Sequence, residues 1–437
     1  MEYDALIIGG GPAGATAGRL LALWGHRVVL LEKPQPAARS FAETLPPSCA
    51  NVFAALKIQA EIAEAGFFRT GGNTSWWAGR RKRVEAYAPG RRGWQVLRAE
   101  FDTLLLRLAA QAGVEIRRGN PDIAARFTLD CSGRAGVLAR RGYRVPEPGH
   151  RTVALCGIWT SDHAWRDVDP THTIVESYRD GWAWVIPLSP RRRYVTIMAD
   201  PRRRPRYVTE LQKTARISGM LKSSRMEGDP WGCDASLYHA RCYAAPGALL
   251  VGEAGSALDP LSSFGVKTAM TSALVAAIAV HTCLRRPERT EAALGFYDRH
   301  ERNVYDARLS EANRFYRAAA EFHRGEFWQA RARPRETARL PRRRLVRSPQ
   351  VRWEPRPVIS GNELVMRAGF SAPGLPDSPW MSGVYLPAIL EATERPRRAA
   401  EIARVYRKRG HAATRSAWVS ALSFLLARGV LIESPEP

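Results

Sequence analysis

Lysine is the scarce residue in this chain: seven of 437 positions carry it (33, 57, 82, 213, 222, 267 and 408), against 59 arginines. The six cysteines (49, 131, 156, 233, 242 and 283) are scattered, with no C-x-x-C pair. That spacing argues against a disulfide framework and reads as reduced, mostly buried thiols. Neither H-E-x-x-H nor a histidine pair at ligand spacing occurs, which argues against a zinc hydrolase, and no metal is expected. No uninterrupted apolar run reaches the roughly 18 residues of a membrane span. No basic segment precedes the apolar start at Ala5, as a signal peptide would require. These absences predict a cytoplasmic protein without a membrane span.

What is present is a globular balance, 45% hydrophobic and 25% charged, on a chain long enough for two or three domains. Sixty-six basic residues against 42 acidic give a net charge of +24. Arginine-rich codon usage is one origin of this excess. A surface that attracts nucleic acid, acidic lipid or an acidic protein is another, and net charge alone does not choose among them.

Residues 4–8 form a short apolar strand that runs into Gly9-Gly10-Gly11-Pro12-Ala13-Gly14. A small-residue helix to about Trp24 follows, then a second strand, 27–31, ending at Glu32. This is G-x-G-x-x-G with strand before, helix after and an acid beyond, the context that makes it a dinucleotide-binding fingerprint. Gly9 permits the tight turn, Gly11 lets backbone approach a pyrophosphate, and Gly14 allows close helix–strand packing. The helix N-terminus around Ala13 offers N–H groups and a positive dipole end, and Glu32 can accept hydrogen bonds from a ribose diol.

A second buried strand, 248–252, leads into Glu253-Ala-Gly-Ser-Ala-Leu-Asp-Pro260, and Gly265 opens an alanine-rich helix to about Leu284. That places a carboxylate at a strand end and a second helix N-terminus near the same ligand, suited to stabilising a reduced flavin. A plain packing helix behind a parallel sheet is the alternative. Arg98-Ala-Glu-Phe-Asp102 opens another helix, where the i, i+4 pair also reads as an ordinary surface ion pair.

Together these segments resemble the FAD-dependent monooxygenase superfamily that includes geranylgeranyl reductases and flavin-dependent halogenases. The shared motifs are the fingerprint with Glu32, Glu43-Thr-Leu-Pro-Pro47, Arg98-x-x-Phe-Asp102, Asp130-Cys-Ser-Gly-Arg134, and Gly252-Glu-Ala-Gly255 with Pro260 and Gly265. The resemblance implies FAD as cofactor, held by Gly9, Gly11, Ala13, Gly14, Glu32, Arg98, Glu253, Pro260 and Gly265. Position 253 is usually Asp in the family, so the longer Glu shifts that contact. Glu43, Ser262 and Ser263 are placed near the flavin by the same motifs and are candidate catalytic groups.

Gly181-Trp182-Ala-Trp184-Val-Ile186-Pro187 matches the W-x-W-x-I-P pattern of halogenases and their monooxygenase relatives. Trp182 and Trp184 alternate on a strand and face one side. They fill a core or wall a flavin-to-substrate passage, and the resemblance implies the second. Halogenases also need a lysine just before a Gly-Gly or Gly-Ala pair. Here Thr70 stands before Gly71-Gly72, and no lysine lies between 57 and 82. A guanidinium stays protonated and does not replace it. Direct hydroxyl transfer from a flavin C4a-hydroperoxide needs no such lysine.

The expected architecture is an α/β FAD-binding Rossmann-like domain of the glutathione-reductase type (1–150 and 230–330), with an antiparallel substrate sheet (151–229). An Arg/Pro-rich linker or arm (331–381) then leads to a small, mostly helical, winged-helix-like domain (382–437). Within the arm, residues 331–356 hold ten Arg and two Glu. That composition suits a solvated linker or a docking strip for an acidic partner. The tail suggests peptide binding, with DNA reading as its rival.

The set that resembles this chain most is the flavoprotein monooxygenases of protein-derived quinone cofactor biogenesis, which lack the halogenase lysine. That implies hydroxylation of a peptidyl Trp in tryptophylquinone formation for quinohemoprotein amine dehydrogenase. Its requirements are FAD, O2 and a reductant, NAD(P)H or reduced flavin. The expected partner is an acidic protein or peptide substrate rather than nucleic acid. Halogenation of an indole, pyrrole or phenol and a geranylgeranyl-reductase-like reaction are the alternatives.

Overall fold

The computed structural model describes residues 2–33, 40–119, 123–165, 168–262, 265–332, 343–381 and 383–434. The chain divides into two compact units, Met1–Ala277 with Val304–Arg333, and Ile278–Asn303 with Pro334–Pro437.

In the first unit a six-stranded sheet runs in the order Ala244–Ala245, Ala248–Leu250, Ala125–Asp130, Tyr3–Ile8, Val28–Glu32, Glu115–Arg118. All neighbours pair parallel except the edge hairpin Ala244–Ala245/Ala248–Leu250. Its inner strands are nearly continuous apolar runs because both faces are covered. Ala5, Ile7, Val29 and Leu30 are accordingly fully buried. The strand ends at Ile8, Glu32, Asp130 and Leu250 therefore converge on one edge, where the connecting loops meet.

A seven-stranded sheet carries the Trp182–Trp184 strand at Gly181–Ser189, flanked by Arg192–Ala199 and Thr173–Tyr178. It is mixed rather than wholly antiparallel, since Thr173–Tyr178 pairs parallel with Gly72–Trp76. The hairpin strands Gly72–Trp76 and Arg83–Ala86 thus extend the sheet with residues from outside 151–229. A three-stranded sheet, Ala42–Leu45, Gly93–Leu97 and Phe68–Thr70, carries Glu43.

The helix Gly265–Arg285 is long and apolar enough to cross a membrane by length and composition, although 72% of its most apolar window is buried. Lys267, Thr268, Thr271 and Ser272 interrupt it, which is why a search for an uninterrupted apolar run passes it over.

In the second unit, helices Leu386–Ala392, Ala399–Lys408 and Arg415–Ala427 pack around Ile389, Leu390, Ile402, Tyr406 and Leu425. The final strand Leu431–Glu433 pairs with Leu345–Arg347 rather than with a strand of the tail itself. Much of the expected linker 331–381 is ordered: Arg352–Ser360 and Glu363–Ser371 form a regular antiparallel hairpin. The signal was Ser360-Gly361-Asn362-Glu363 between alternating strands, with Gly361 at φ +63° in the turn. Of the ten arginines of the expected docking strip 331–356, Arg343, Arg344 and Arg352 are exposed and two turn inward. Arg331 is 1% exposed. Arg356 donates inward to the carbonyls of Phe370 (2.8 Å) and Pro376 (3.1 Å). Guanidinium donors satisfied by backbone carbonyls are not presented to a partner. Residues 333–342 of that strip lie outside the described residues.

Candidate functional site

The fingerprint turn has the geometry its residues require. Gly9 sits at φ +105°, left-handed backbone that a side chain strains. A Cβ on Gly14 would fall 1.8 Å from the Gly9 carbonyl oxygen, so helix and strand meet there backbone to backbone. Gly11 differs. Its φ of −68° suits any residue, and a Cβ there would meet nothing nearer than Arg98 Nη2 at 3.5 Å and Asp102 Oδ2 at 3.9 Å. The helix Pro12–Leu23 starts there with no side-chain cap and no acid in its first turn. Bare N–H groups, a positive helix end and open space coincide at Gly11, which is what a pyrophosphate needs.

Around this opening the chain gathers four carboxylates and one guanidinium. Glu32 accepts from the Gly10 amide at 2.5 Å, and burial raises its pKa. Arg98 donates twice to Asp102 at 2.9 Å and lies 4.0 Å from Glu43. Burial opposes its charge, but Asp102, Glu43 and Glu253 outweigh that and hold it protonated. The i, i+4 pair is thus half-buried at the cradle rather than a surface pair. Glu253 follows the strand Ala248–Leu250, and the Tyr238 hydroxyl donates to its carbonyl at 2.8 Å. A Cβ on Gly252 would lie 3.3 Å from Ala269 and 3.5 Å from Ala13, so the two flavin motifs and the Gly265–Arg285 helix meet there. A Cβ on Gly265 meets nothing within 4 Å. The donor set fits FAD: Arg98 and the helix end toward pyrophosphate, Glu32 and Glu253 as acceptors for ribose and ribityl hydroxyls.

Glu43 is the strongly perturbed acid of this group. Burial first, then Glu253 and Asp102, push it up to about 7 against the pull of Arg98. A carboxyl raised on folding contributes stability below its ordinary 4.5, and that stability is lost as pH rises through 7. Above that pH a further negative charge faces the incoming pyrophosphate. FAD affinity of the apoprotein is therefore expected to fall between pH about 6 and about 8, by up to about tenfold per pH unit, the slope of one linked proton. Titrations of apoprotein with FAD should show this slope in the wild type and a flat profile in Glu43→Gln.

The other expected residues are placed as follows. Asp130 is fully buried and accepts from the backbone N–H groups of Ser132 and Leu138, so it shapes its own loop. Asp259, beside Pro260, takes a hydrogen bond from Tyr316 at 2.7 Å in the interior. Ser263 and the side chain of Ser262 lie outside the described residues. Trp182 and Trp184 do face one side and stack at 4.9 Å, next to Ala42, Leu97 and Leu261. Trp182, however, is 1% exposed and packs against Trp77, so it is core, and Trp184 alone of the two is half-open. Thr70 is fully buried, and a Cβ on Gly93 would fall 2.8 Å from its methyl. Arg69 turns outward over the Trp94 ring.

One group escaped the sequence reading. Lys267, on the first turn of the helix that Gly265 opens, donates to Ser48 at 2.9 Å, just past the Glu43 segment. Burial lowers its pKa. A lysine two residues past a motif glycine, in a chain with so few, was the available signal.

A parallel sheet whose loops build this cradle, joined to a mixed sheet bearing stacked tryptophans, defines a flavoprotein of the FAD-binding halogenase fold. Sequence comparison agrees: the FAD binding domain model matches residues 2–138, and the tryptophan halogenase model matches residues 112–348. The chain belongs to the tryptophan halogenase family and is an FAD-dependent oxidoreductase acting with O2. It is 28% identical over 366 residues to flavin-dependent halogenase armH3 of Armillaria mellea, covering 70% of this chain and 72% of that protein. It shares its fold with the flavin-dependent halogenase CmlS (TM-score 0.82, 19% identity, 99% of this chain and 96% of that one). It shares it also with QhpG, a peptidyl tryptophan dihydroxylase essential for tryptophylquinone cofactor biogenesis (TM-score 0.69, 21% identity, 98% and 100%).

Proposed function

We propose that this protein is an FAD-dependent monooxygenase that hydroxylates the indole of a tryptophan held in a polypeptide, in the manner of tryptophylquinone biogenesis. The observation that carries the reading is Thr70: at the place before Gly71-Gly72, where the halogenase lysine is expected, stands a fully buried threonine hydroxyl. Without that lysine an oxidant has no carrier toward a distant ring, and direct oxygen transfer to an electron-rich indole is the chemistry left. The fold is shared over nearly the whole chain with QhpG and with the halogenase CmlS alike, so the reading rests on Thr70 and not on fold likeness.

Bound FAD, once reduced by NAD(P)H or by exchange with reduced flavin, supplies the oxygen-activating redox chemistry. The chain's own residues do the rest. Gly9, Gly11, Ala13, Gly14, Glu32, Arg98, Glu253, Pro260 and Gly265 hold the cofactor. The helix N-terminus at Gly265 offers N–H groups toward charge that develops on the ring system. The sheet of 151–229, with Trp184 at its open side, forms the substrate wall and excludes water. Residues 1–150 with 230–330 make the cofactor domain, and 382–437 a winged-helix-like domain that captures peptide in the cytoplasm.

Halogenation is the second reading, favoured by Lys267 and by the halogenase relatives. Turnover of an indole substrate with reduced FAD, O2 and bromide separates the two. Hydroxylated, unbrominated product is expected, in the wild type and in Lys267→Met alike. A brominated product that vanishes in Lys267→Met would establish Lys267 as the halogenase lysine and overturn the hydroxylase.

A further inference from the structure

The hairpin Gly72–Trp76/Arg83–Ala86 lies at the rim of the seven-stranded sheet, and Arg83–Ala86 is its edge strand. Between the strands, and just after them, the chain carries Arg80, Arg81, Lys82, Arg83, Arg91 and Arg92 against one acid, Glu85. All seven side chains are exposed. Arg83 and Glu85 pair in open solvent, 70% and 54% exposed, which neutralises one cation. Charges on an edge strand guard against edge-to-edge association, and one or two suffice for that. Here Arg80, Arg81 and Lys82 sit in the turn, where no edge needs guarding.

The turn is also anchored to the tryptophan wall. Trp77, three residues before Arg80, donates to the Phe315 carbonyl at 3.0 Å and packs edge-on against Trp182, which stacks on Trp184. The Ala78 amide donates to Ser177 at 3.1 Å. The cations thus project from a fixed base, and Arg83 lies three strand spacings of about 4.8 Å from Trp184, through Ser75 and Val175. Beside them the strand Arg83–Ala86 pairs with one neighbour among the described residues, leaving main-chain groups for an extended segment.

We infer that this hairpin is the docking surface for an acidic, extended segment of the polypeptide substrate, set to deliver a nearby tryptophan to the Trp184 side of the sheet. The inference rests on the polypeptide-substrate reading and stands beside the Arg-rich 331–356 strip, of which Arg331 and Arg356 turn inward while Arg343, Arg344 and Arg352 are exposed. Clustered cations opposite clustered acids mainly raise the encounter rate and fix register, so the interaction should weaken with salt.

The test uses holoenzyme and a fluorescent peptide of alternating Glu and Ser with one Trp, with binding followed by anisotropy at low and high salt. Arg80→Ser/Arg81→Ser/Lys82→Ser changes exposed turn positions, and unchanged flavin content verifies its fold. The variant is expected to bind about tenfold more weakly at low salt, and to match the wild type at high salt. Affinity within twofold of the wild type at low salt overturns the inference and leaves the cations as edge protection. Tighter binding of a short DNA duplex than of the peptide, lost in the same variant, overturns it in favour of nucleic acid. Because binding is read without turnover, a peptide that binds but is never oxidised overturns the hydroxylase reading and leaves the docking surface standing.

Discussion

Gly11→Glu yields a folded, colourless protein. The backbone at Gly11 lies outside the left-handed region, and a Cβ there meets only the ends of Arg98 and Asp102, so folding proceeds as in the wild type. The cost falls on the cofactor. The new carboxylate fills the space in front of the uncapped helix N-terminus and takes Arg98 as its partner, displacing the pyrophosphate by bulk and by like charge. A loss of about a thousandfold in FAD affinity is expected, about 4 kcal/mol at 1.4 kcal/mol per decade. Visible flavin absorbance after desalting measures it, with circular dichroism to verify the fold. A yellow variant would refute the assignment of the fingerprint. Gly14→Ala gives the contrast: its methyl would meet the Gly9 carbonyl at 1.8 Å, so it should lower stability whether or not FAD is present.

Glu176→Ala produces the largest expected loss of stability. Glu176 is 5% exposed on the strand beside Trp182–Trp184, and its carboxylate accepts from the amides of Ala215 (2.7 Å), Arg216 (3.0 Å) and Ile217 (2.8 Å). These are the otherwise unpartnered first N–H groups of the helix Arg216–Met220. Alanine strands them beneath the sheet, at about 3 kcal/mol for charge-assisted hydrogen bonds removed from one side only. Thermal unfolding should shift downward by several degrees, with about half that shift in Glu176→Gln, which keeps one acceptor. Flavin content per folded protein should not change, since this carboxylate faces away from the cofactor cradle. An unchanged midpoint would mean that the Arg216–Met220 helix is held by its apolar face alone.

Where a motif's chemistry is local, the sequence reading located it. The Gly9–Gly14 turn and the shared face of Trp182 and Trp184 follow from spacings of two or three residues, and Glu32 from the end of the strand that follows the fingerprint helix. What the spacing left open was burial. Period-two alternation places both indoles on one face, but only the helix Thr290–His323, packing Ala312, Tyr316 and Ala319 against that face, closes Trp182 and leaves Trp184 half-open. Composition misled at residues 352–371, where arginine and proline suggested an arm. Pro355 and Pro357 are tolerated because the two-stranded hairpin has free edges, and Arg356 is drawn inward by carbonyls 14 and 20 residues away. Lys267 and Ser48 are separated by 219 residues, and no local pattern encodes their contact. The perturbation of Glu43 is of the same kind, set by burial and then by Glu253 and Asp102 from two distant segments.

The central claim is oxygen transfer to a tryptophan inside a polypeptide, and one measurement tests it most directly. The holoenzyme is incubated with reductant, 18O-labelled O2, bromide and an acidic peptide carrying a single Trp, and the peptide is then weighed and fragmented by mass spectrometry. One or two labelled oxygens on the indole, with no bromine, is the predicted result. An unlabelled or brominated indole, formed while O2 is consumed, would contradict it.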